Sequence, residues 1–100
     1  MSMKRVTIND EIKRIGIRFI GHHNKTEIKV EGTNWHIIVP SSRVWAFCKL
    51  FPDVDWENGA YLHTLQGRYI RVTFDEDSKI YSIQHIVKDL EYYVDHPEVD

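Results

Sequence analysis

The chain has 100 residues, of which 42% are hydrophobic and 28% are charged, a composition typical of one globular domain with a single modest core. Its 12% of aromatic residues argue against a disordered chain. No apolar run reaches the roughly 20 residues that cross a bilayer, and no apolar segment follows the basic pair near the start. We therefore expect one domain over residues 1–100, with no secretory signal and no membrane partner.

Charge is divided unevenly along the chain, although its net value is only −2. Residues 1–45 carry eight Lys or Arg against four Asp or Glu, whereas residues 46–100 carry five against eleven. The asymmetry predicts a polarised surface if the two halves fold onto different faces. If the charges mix in the folded chain instead, they serve only solubility.

Cys48 is the one cysteine, so no intrachain disulfide can form. A small domain without a disulfide fits a reducing compartment, and we expect a cytoplasmic protein. The apolar neighbours of Cys48 predict a buried thiol that does not react.

The first predicted element is a short helix over residues 7–15. Ile8, Ile12 and Ile15 share one helical face, and Gly16 follows them as a terminator. Acidic residues in the first turn, and a preceding residue that can cap it, favour the same interpretation.

Three strands are predicted next, because apolar and polar side chains alternate in each. They cover residues 16–21, 26–31 and 35–40, with turns at 22–25 and 32–34. The third strand has apolar side chains on both faces, so we expect it in the centre of the sheet.

A second helix is predicted over residues 41–51, capped by Ser41 or Ser42. Its apolar stripe follows the spacing of one helix face, and Trp45 lies off that stripe. The stripe consists of Val44, Phe47, Cys48 and Phe51. An acidic loop follows over residues 52–59.

The stretch "LQGRYIRVTFDEDSKIYSIQHIVKDL", residues 65–90, has two apolar-rich runs around an acidic turn. Residues 68–74 alternate as a strand, and residues 79–86 are predicted to pair with them as a hairpin. A short helix or irregular tail then continues to residue 95. The spacing of the apolar residues also allows one helix over residues 78–95.

These elements predict an α+β domain. It has an antiparallel sheet of four to five strands, with one or two short helices packed on one face. Such a sheet can curl into a partial barrel.

The histidines are the residues from which a metalloenzyme would be built. No metal-binding spacing is present, so His22, His23, His36, His63 and His85 could meet only through the fold. Nucleophile elbows and glycine-rich phosphate loops are also missing from the sequence. We therefore predict no catalytic residue, no metal and no cofactor.

The acidic second half predicts a surface that binds a partner. An anionic patch can occupy a basic groove on a nucleic-acid-binding protein, and a tryptophan within it can anchor the contact. The predicted contact residues are Asp53, Asp55, Trp56, Glu57, Asp75, Glu76 and Asp77.

Nucleic acid or a signal nucleotide is the alternative ligand. Arg68, Tyr69 and Arg71 place basic side chains beside an aromatic ring on one strand, a combination that can track phosphates and stack bases. The basic amino-terminal segment would extend this site. It comprises Lys4, Arg5, Lys13, Arg14 and Arg18. The net negative charge argues against strong phosphate binding.

The rhythm G-R-Y-x-R-V-x-F-D…I-x-x-I-x-H-I over residues 67–89 resembles small accessory proteins encoded by bacterial phages and prophages. The resemblance implies a protein made in the cytoplasm of an infected or lysogenic bacterium. It further implies a non-enzymatic inhibitor or modulator of a host protein, of the kind that blocks CRISPR effectors and other defences sterically or by sequestering a signal nucleotide. Edge strands in so small a domain also favour a homodimer.

Overall fold

A computed structural model describes residues 4–20, 25–56 and 62–94. Within these residues, seven strands form two antiparallel sheets, and a short helix lies between the fourth and fifth strands in sequence. The strands are β1 (Val6–Glu11), β2 (Arg14–Ile20), β3 (Lys25–Glu31), β4 (His36–Pro40), β5 (Tyr69–Phe74), β6 (Ile80–His85) and β7 (Glu91–Tyr93). The four-stranded sheet has the order β1-β5-β6-β7, and the three-stranded sheet the order β2-β3-β4.

The predicted α+β class is confirmed, with one difference in how the strands are arranged. They form two sheets instead of one, and in the described part of the chain neither sheet closes into a barrel. A bend between β1 and β2 causes the division. The Ile12 N–H donates to the Arg68 carbonyl beside β5 (2.8 Å), whereas the Lys13 N–H donates to the Glu31 carbonyl of β3 (2.7 Å). One continuous segment therefore supplies a strand to each sheet.

The helix predicted over residues 7–15 is wrong, because these residues form β1 and the start of β2. The spacing of Ile8, Ile12 and Ile15 has another cause. Ile12 and Ile15 are buried on either side of the bend, and Ile8 is 40% exposed on β1. Gly16 lies inside β2 and terminates no helix.

The strands predicted over residues 16–21, 26–31 and 35–40 correspond to β2, β3 and β4. The expected central position of the third is wrong: β3 is central, and β4 is an outer strand of its sheet. His36 and Ile38 are exposed on the outer face of β4. The turn predicted at residues 22–25 falls almost wholly outside the described residues.

The helix predicted over residues 41–51 is shorter than expected. A 3-10 turn (Ser41–Arg43) leads into α1 (Val44–Cys48), and no serine side chain caps either element. The predicted stripe is confirmed, because Phe47, Cys48 and Phe51 are buried and Val44 is half-buried. Burial raises the pKa of the Cys48 thiol, as expected for an unreactive cysteine.

The hairpin in residues 65–90 is confirmed, with β5 and β6 as its strands. The register shifts after Thr73, which faces Ser82, so that Phe74 faces Ile80 and Tyr81 becomes the extra residue of a β-bulge. A third strand, β7, replaces the helix or irregular tail expected after it. No helix that could span a membrane occurs in the described residues.

The core lies between the two sheets and the segment around α1. Its buried side chains include Val30 and Val39 from the three-stranded sheet and Val72 from the four-stranded sheet. The Phe47 ring of α1 meets the Tyr92 ring of β7 edge to face, with centroids 5.5 Å apart.

Asp10 of β1 joins the sheets through the turn between β3 and β4. Its carboxylate accepts hydrogen bonds from Thr33 N–H (3.0 Å), Thr33 Oγ1 (2.7 Å) and Trp35 Nε1 (2.6 Å). Burial disfavours the charged form, but these bonds and one from the Glu11 N–H outweigh it and hold the pKa of Asp10 below its ordinary value. The Trp35 ring lies so close over Gly32 that a Cβ there would be 2.1 Å from it.

Candidate functional site

The histidines do not gather into a metal site in the part of the chain that the structure describes, where no three His, Cys, Asp or Glu side chains could hold an ion. His36 and His63 are exposed in separate elements. His85 Nδ1 accepts the Val87 and Lys88 N–H groups, at 3.0 and 2.9 Å, which is a structural role in the turn after β6. His22 and His23 lie outside the described residues.

The acidic loop is tied to its surroundings. Asp53 Oδ1 accepts a hydrogen bond from Arg68 Nη2 (2.9 Å), which lowers the pKa of Asp53. The half-buried Trp56 packs against the core and donates its Nε1–H to the Phe51 carbonyl (3.1 Å). Asp55 is exposed, and Glu57 lies outside the described residues.

The acidic hairpin tip is shaped by its own first residue. Asp75 Oδ1 accepts the backbone N–H groups of Asp77 (2.9 Å) and Lys79 (3.0 Å), and Ser78 takes a φ of 64°. Because these bonds fix the turn, Glu76 and Asp77 are held exposed at its end.

The structure does not bring the two acidic groups together. Asp53 is bonded to Arg68, which precedes β5, whereas Asp75 follows the last residue of β5. A six-residue strand spans about 20 Å, so the groups lie at opposite ends of it. The single anionic surface expected from the sequence is therefore divided into two small ones.

The residues of the alternative nucleic-acid site are also divided. Tyr69 and Arg71 are exposed on the outer face of β5, and Tyr69 is 60% exposed. Arg68 instead pairs with Asp53 and lies over the Phe51 ring, 5.4 Å from its centroid. Tyr69 and Arg71 thus remain available on the sheet face, and Arg68 belongs to the loop.

The basic amino-terminal residues spread over both sheets. Arg5 lies over the Tyr81 ring of the four-stranded sheet, 3.9 Å from its centroid. Lys13 pairs with Glu11 at 3.0 Å, and Arg14 approaches Glu31 of the three-stranded sheet at 3.7 Å. Lys4 is exposed, and the side chain of Arg18 is not among those described.

A polar network crosses the outer face of the four-stranded sheet. Thr7 Oγ1 lies 2.9 Å from Thr73 Oγ1, to which Gln84 Nε2 donates at 2.8 Å. Ser82 Oγ and Gln84 Nε2 both donate to Glu91 Oε2, at 2.8 and 2.9 Å. Side chains from all four strands are therefore joined, which fixes their rotamers on this face.

Aromatic and guanidinium groups surround this network. Tyr81 and Tyr93 meet edge to face, with centroids 5.6 Å apart, and Arg5 covers Tyr81. We call this surface the tyrosine–arginine face; it comprises Arg5, Tyr69, Arg71, Tyr81 and Tyr93. The pattern of β6 alone did not indicate Tyr81, because the bulge turns it to the same side as Ser82.

Glu91 is the acidic group within this face. The Tyr93 hydroxyl donates to Glu91 Oε1 at 2.5 Å, which raises the pKa of Tyr93. Since Ser82, Gln84 and Tyr93 all donate to the Glu91 carboxylate, its charge is partly satisfied from within the sheet. Arg5 and Arg71 leave the face with both signs of charge.

An open groove of about 450 Å³ lies between β4 and the β5–β6 hairpin. Trp35, Ile37, Phe74 and Ile80 contribute its apolar lining, and no carboxylate of the described residues lines it.

Comparison of the chain with protein-family models, curated proteins and solved structures finds no match.

Proposed function

We propose that this protein is a non-enzymatic binding module whose tyrosine–arginine face binds single-stranded nucleic acid. The observation that carries the proposal is the exposure of Tyr69 and Arg71 on the same sheet face as the ring pair of Tyr81 and Tyr93. Exposed aromatic rings provide stacking surfaces for bases, and arginine side chains contact phosphates or stack on bases themselves.

The order of these groups along the sheet fits an extended strand. Tyr69, Arg71 and Thr73 follow one another on the outer side of β5, and Ser82 faces Thr73 from β6 beside the bulged Tyr81. Tyr69 and Thr73 are about 13 Å apart along β5, since they are separated by four residues of a strand. Tyr81 lies beside Thr73 on the neighbouring strand. A nucleic acid lying along β5 would meet the Tyr69 ring, the Arg71 guanidinium group and then the Arg5 guanidinium group that covers Tyr81.

The polar network supports the same proposal. Gln84 lies opposite Arg71 in the sheet, and its amide is held by Thr73 and Glu91. Side chains fixed in this way lose little conformational entropy when a ligand binds. The mixed charge predicts modest, salt-dependent affinity.

Fluorescence anisotropy with labelled single-stranded RNA and DNA of about 16 nucleotides tests the proposal. We expect saturable binding at about 50 mM salt that weakens at about 200 mM salt, because each neutralised phosphate releases counterions. Cyclic dinucleotides, titrated in parallel, distinguish a signal-nucleotide site from a strand-binding one.

Tyr69→Ala should weaken binding of the oligonucleotide by about 1–3 kcal/mol, as expected for loss of one stacked base. Arg71→Gln should also reduce the slope of affinity against salt. Arg14→Gln is the matched control, because this exposed arginine lies on the outer face of the other sheet. A wild-type protein that binds no oligonucleotide at about 50 mM salt contradicts the proposal.

A second candidate is an inhibitor of a bacterial host protein, made by a phage, that acts through the hairpin tip. It is favoured by the bonds of Asp75, which hold Glu76 and Asp77 exposed in one fixed turn. A rigid acidic tip can enter a basic groove on a nucleic-acid-binding effector.

This candidate is tested by reversing the charge at the tip with Glu76→Lys and Asp77→Lys. These changes should abolish capture of the partner from bacterial lysate, whereas Asp55→Lys, in the other acidic group, should leave it unchanged. Equal capture by all three variants would exclude the tip.

A further inference from the structure

Strand β1 lies at one edge of the four-stranded sheet. The Ile12 N–H bonds to the Arg68 carbonyl, and the Ile12 carbonyl accepts the Gly67 N–H, both at 2.8 Å. Because neighbouring residues of an antiparallel strand point their backbone groups to opposite edges, the groups of Arg5, Thr7 and Asn9 point away from β5. In the described part of the chain no other strand pairs with that edge.

Two neighbouring bonds agree with this alternation. The Glu11 N–H, which also points away from β5, donates a hydrogen bond to Asp10 Oδ1 (2.7 Å). The Lys13 N–H turns to β3, where Glu31 accepts it. The open part of the edge therefore ends at Asn9. Among the described residues, the backbone groups that no other strand pairs with are those of Thr7, Asn9 and, just before β1, Arg5.

The side chains of β1 that alternate with these residues are apolar and poorly covered. Val6 is 55% exposed and Ile8 is 40% exposed, although both lie on the side of β1 that leads to the buried Ile12. An edge strand with exposed β-branched side chains is a template for pairing with another strand.

The free edge of β4 differs from that of β1. Gly32 bonds to Trp35 across the turn, so the groups of His36, Ile38 and Pro40 point away from β3 by the same alternation. Proline has no N–H to donate, which protects an edge from further pairing. The edge of β1 has no proline, so it is the better site for an added strand.

We propose that two copies of this chain pair through β1, antiparallel, with Thr7 opposite Thr7 of the second copy. Arg5 then faces Asn9 of the second copy, and the outward backbone groups of all three residues are matched. Val6 faces Ile8 of the second copy, so each covers apolar surface of the other.

The match of side chains and backbone groups favours this register. Both registers pair one basic residue with an acidic one, since Lys4, two residues before β1, faces Asp10 of the second copy here and Arg5 faces Glu11 in the adjacent register. The adjacent register, with Ile8 on the two-fold axis, places Val6 opposite Asp10 and uses the Glu11 N–H that is already bonded. The pattern of β1 is therefore self-complementary about Thr7, as an isologous dimer requires.

Disulfide formation tests both the dimer and its register. In a hydrogen-bonded antiparallel pair the two Cα atoms are about 5.5 Å apart, within the range that a disulfide spans. Thr7→Cys should give a covalent dimer under mild oxidation, and Ile8→Cys should give far less. Cys48 is buried and should not interfere. Equal cross-linking of both variants, or preferential cross-linking of Ile8→Cys, overturns the register.

Sedimentation of the full chain tests the dimer itself. Thr7→Pro removes an outward N–H and should shift the protein to monomer, whereas Ile38→Pro removes the corresponding group from β4 and should leave it dimeric. Val6→Lys, at a half-exposed position, should also give monomer if the proline variant does not fold. A wild-type chain that stays monomeric up to about 1 mM overturns the proposal.

Discussion

On the outer face of the four-stranded sheet, side chains form hydrogen bonds with one another from β1 to β7. The outer face of the three-stranded sheet instead carries an ion pair between Arg14 and Glu31, 3.7 Å apart. The three-stranded sheet is attached in another way. The turn between β3 and β4 contacts β1, where Thr33 and Trp35 donate hydrogen bonds to the Asp10 carboxylate. One sheet is thus fixed by hydrogen bonds across its own outer face, and the turn of the other is bonded to its neighbour through Asp10.

The difference bears on where a ligand can bind. Side chains that are already ordered lose less conformational entropy when a ligand binds. The hydrogen-bonded tyrosine–arginine face is therefore the better surface for the binding that we propose. Charged pairs that remain in solvent contribute little to stability and are free to change partners.

The largest effect is expected from Gly32→Ala, which breaks the attachment of the three-stranded sheet. Its Cβ would lie 2.1 Å from the Trp35 ring, so the ring must move away from Asp10. Overpacking of this kind costs about 1–3 kcal/mol of unfolding free energy, measurable by urea denaturation. Gly16→Ala is the control, because nothing lies within 4 Å of its Cβ; an equal loss there would contradict the explanation.

A smaller effect is expected from Asp10→Asn, about 1–2 kcal/mol, because an amide cannot accept all the bonds of the carboxylate. The folded-state pKa of Asp10 is lowered, so its stabilisation is complete above the unfolded pKa, near 3.9, and is lost as pH falls through the folded value. The difference between wild type and variant should therefore shrink below about pH 4 in denaturation curves. A difference that stays constant down to acid pH would show that the charge plays no part.

The smallest effects compare the two outer faces directly. Glu91→Ala removes the acceptor of Ser82, Gln84 and Tyr93 and should cost about 1 kcal/mol. Glu31→Ala removes a long ion pair, 3.7 Å, whose Arg14 side chain is largely exposed, and should change the unfolding free energy by less than about 0.5 kcal/mol. If the two losses are equal, the network does not stabilise its sheet.

The sequence was sufficient where one pattern had one explanation. The alternation around Ile28 and Val30 predicted β3, and the acidic turn between two apolar runs predicted the β5–β6 hairpin. Residues 7–15 were misassigned because a strand that bends at Ile12 gives the same spacing of isoleucines as a helix.

The surfaces were harder to predict than the strands. The sequence could not show that Asp53 accepts a hydrogen bond from Arg68, or that the Asp75 carboxylate accepts hydrogen bonds from the backbone of its own turn. Both depend on contacts that form only in the fold. Tyr69 and Arg71 were predicted from sequence as part of a nucleic-acid site, and a bulge and a seventh strand place Tyr81 and Tyr93 on the same sheet face.

The bend at Ile12 has a consequence for the order in which the chain folds. Strands β2 to β4 are consecutive neighbours, and so are β5 to β7, but β1 must reach β5 across a separation of 66 residues between Thr7 and Thr73. Closing so long a loop is slow, so we expect the two meanders to form first and β1 to dock last. In chevron plots, Thr7→Ala should then speed unfolding and leave the refolding rate nearly unchanged.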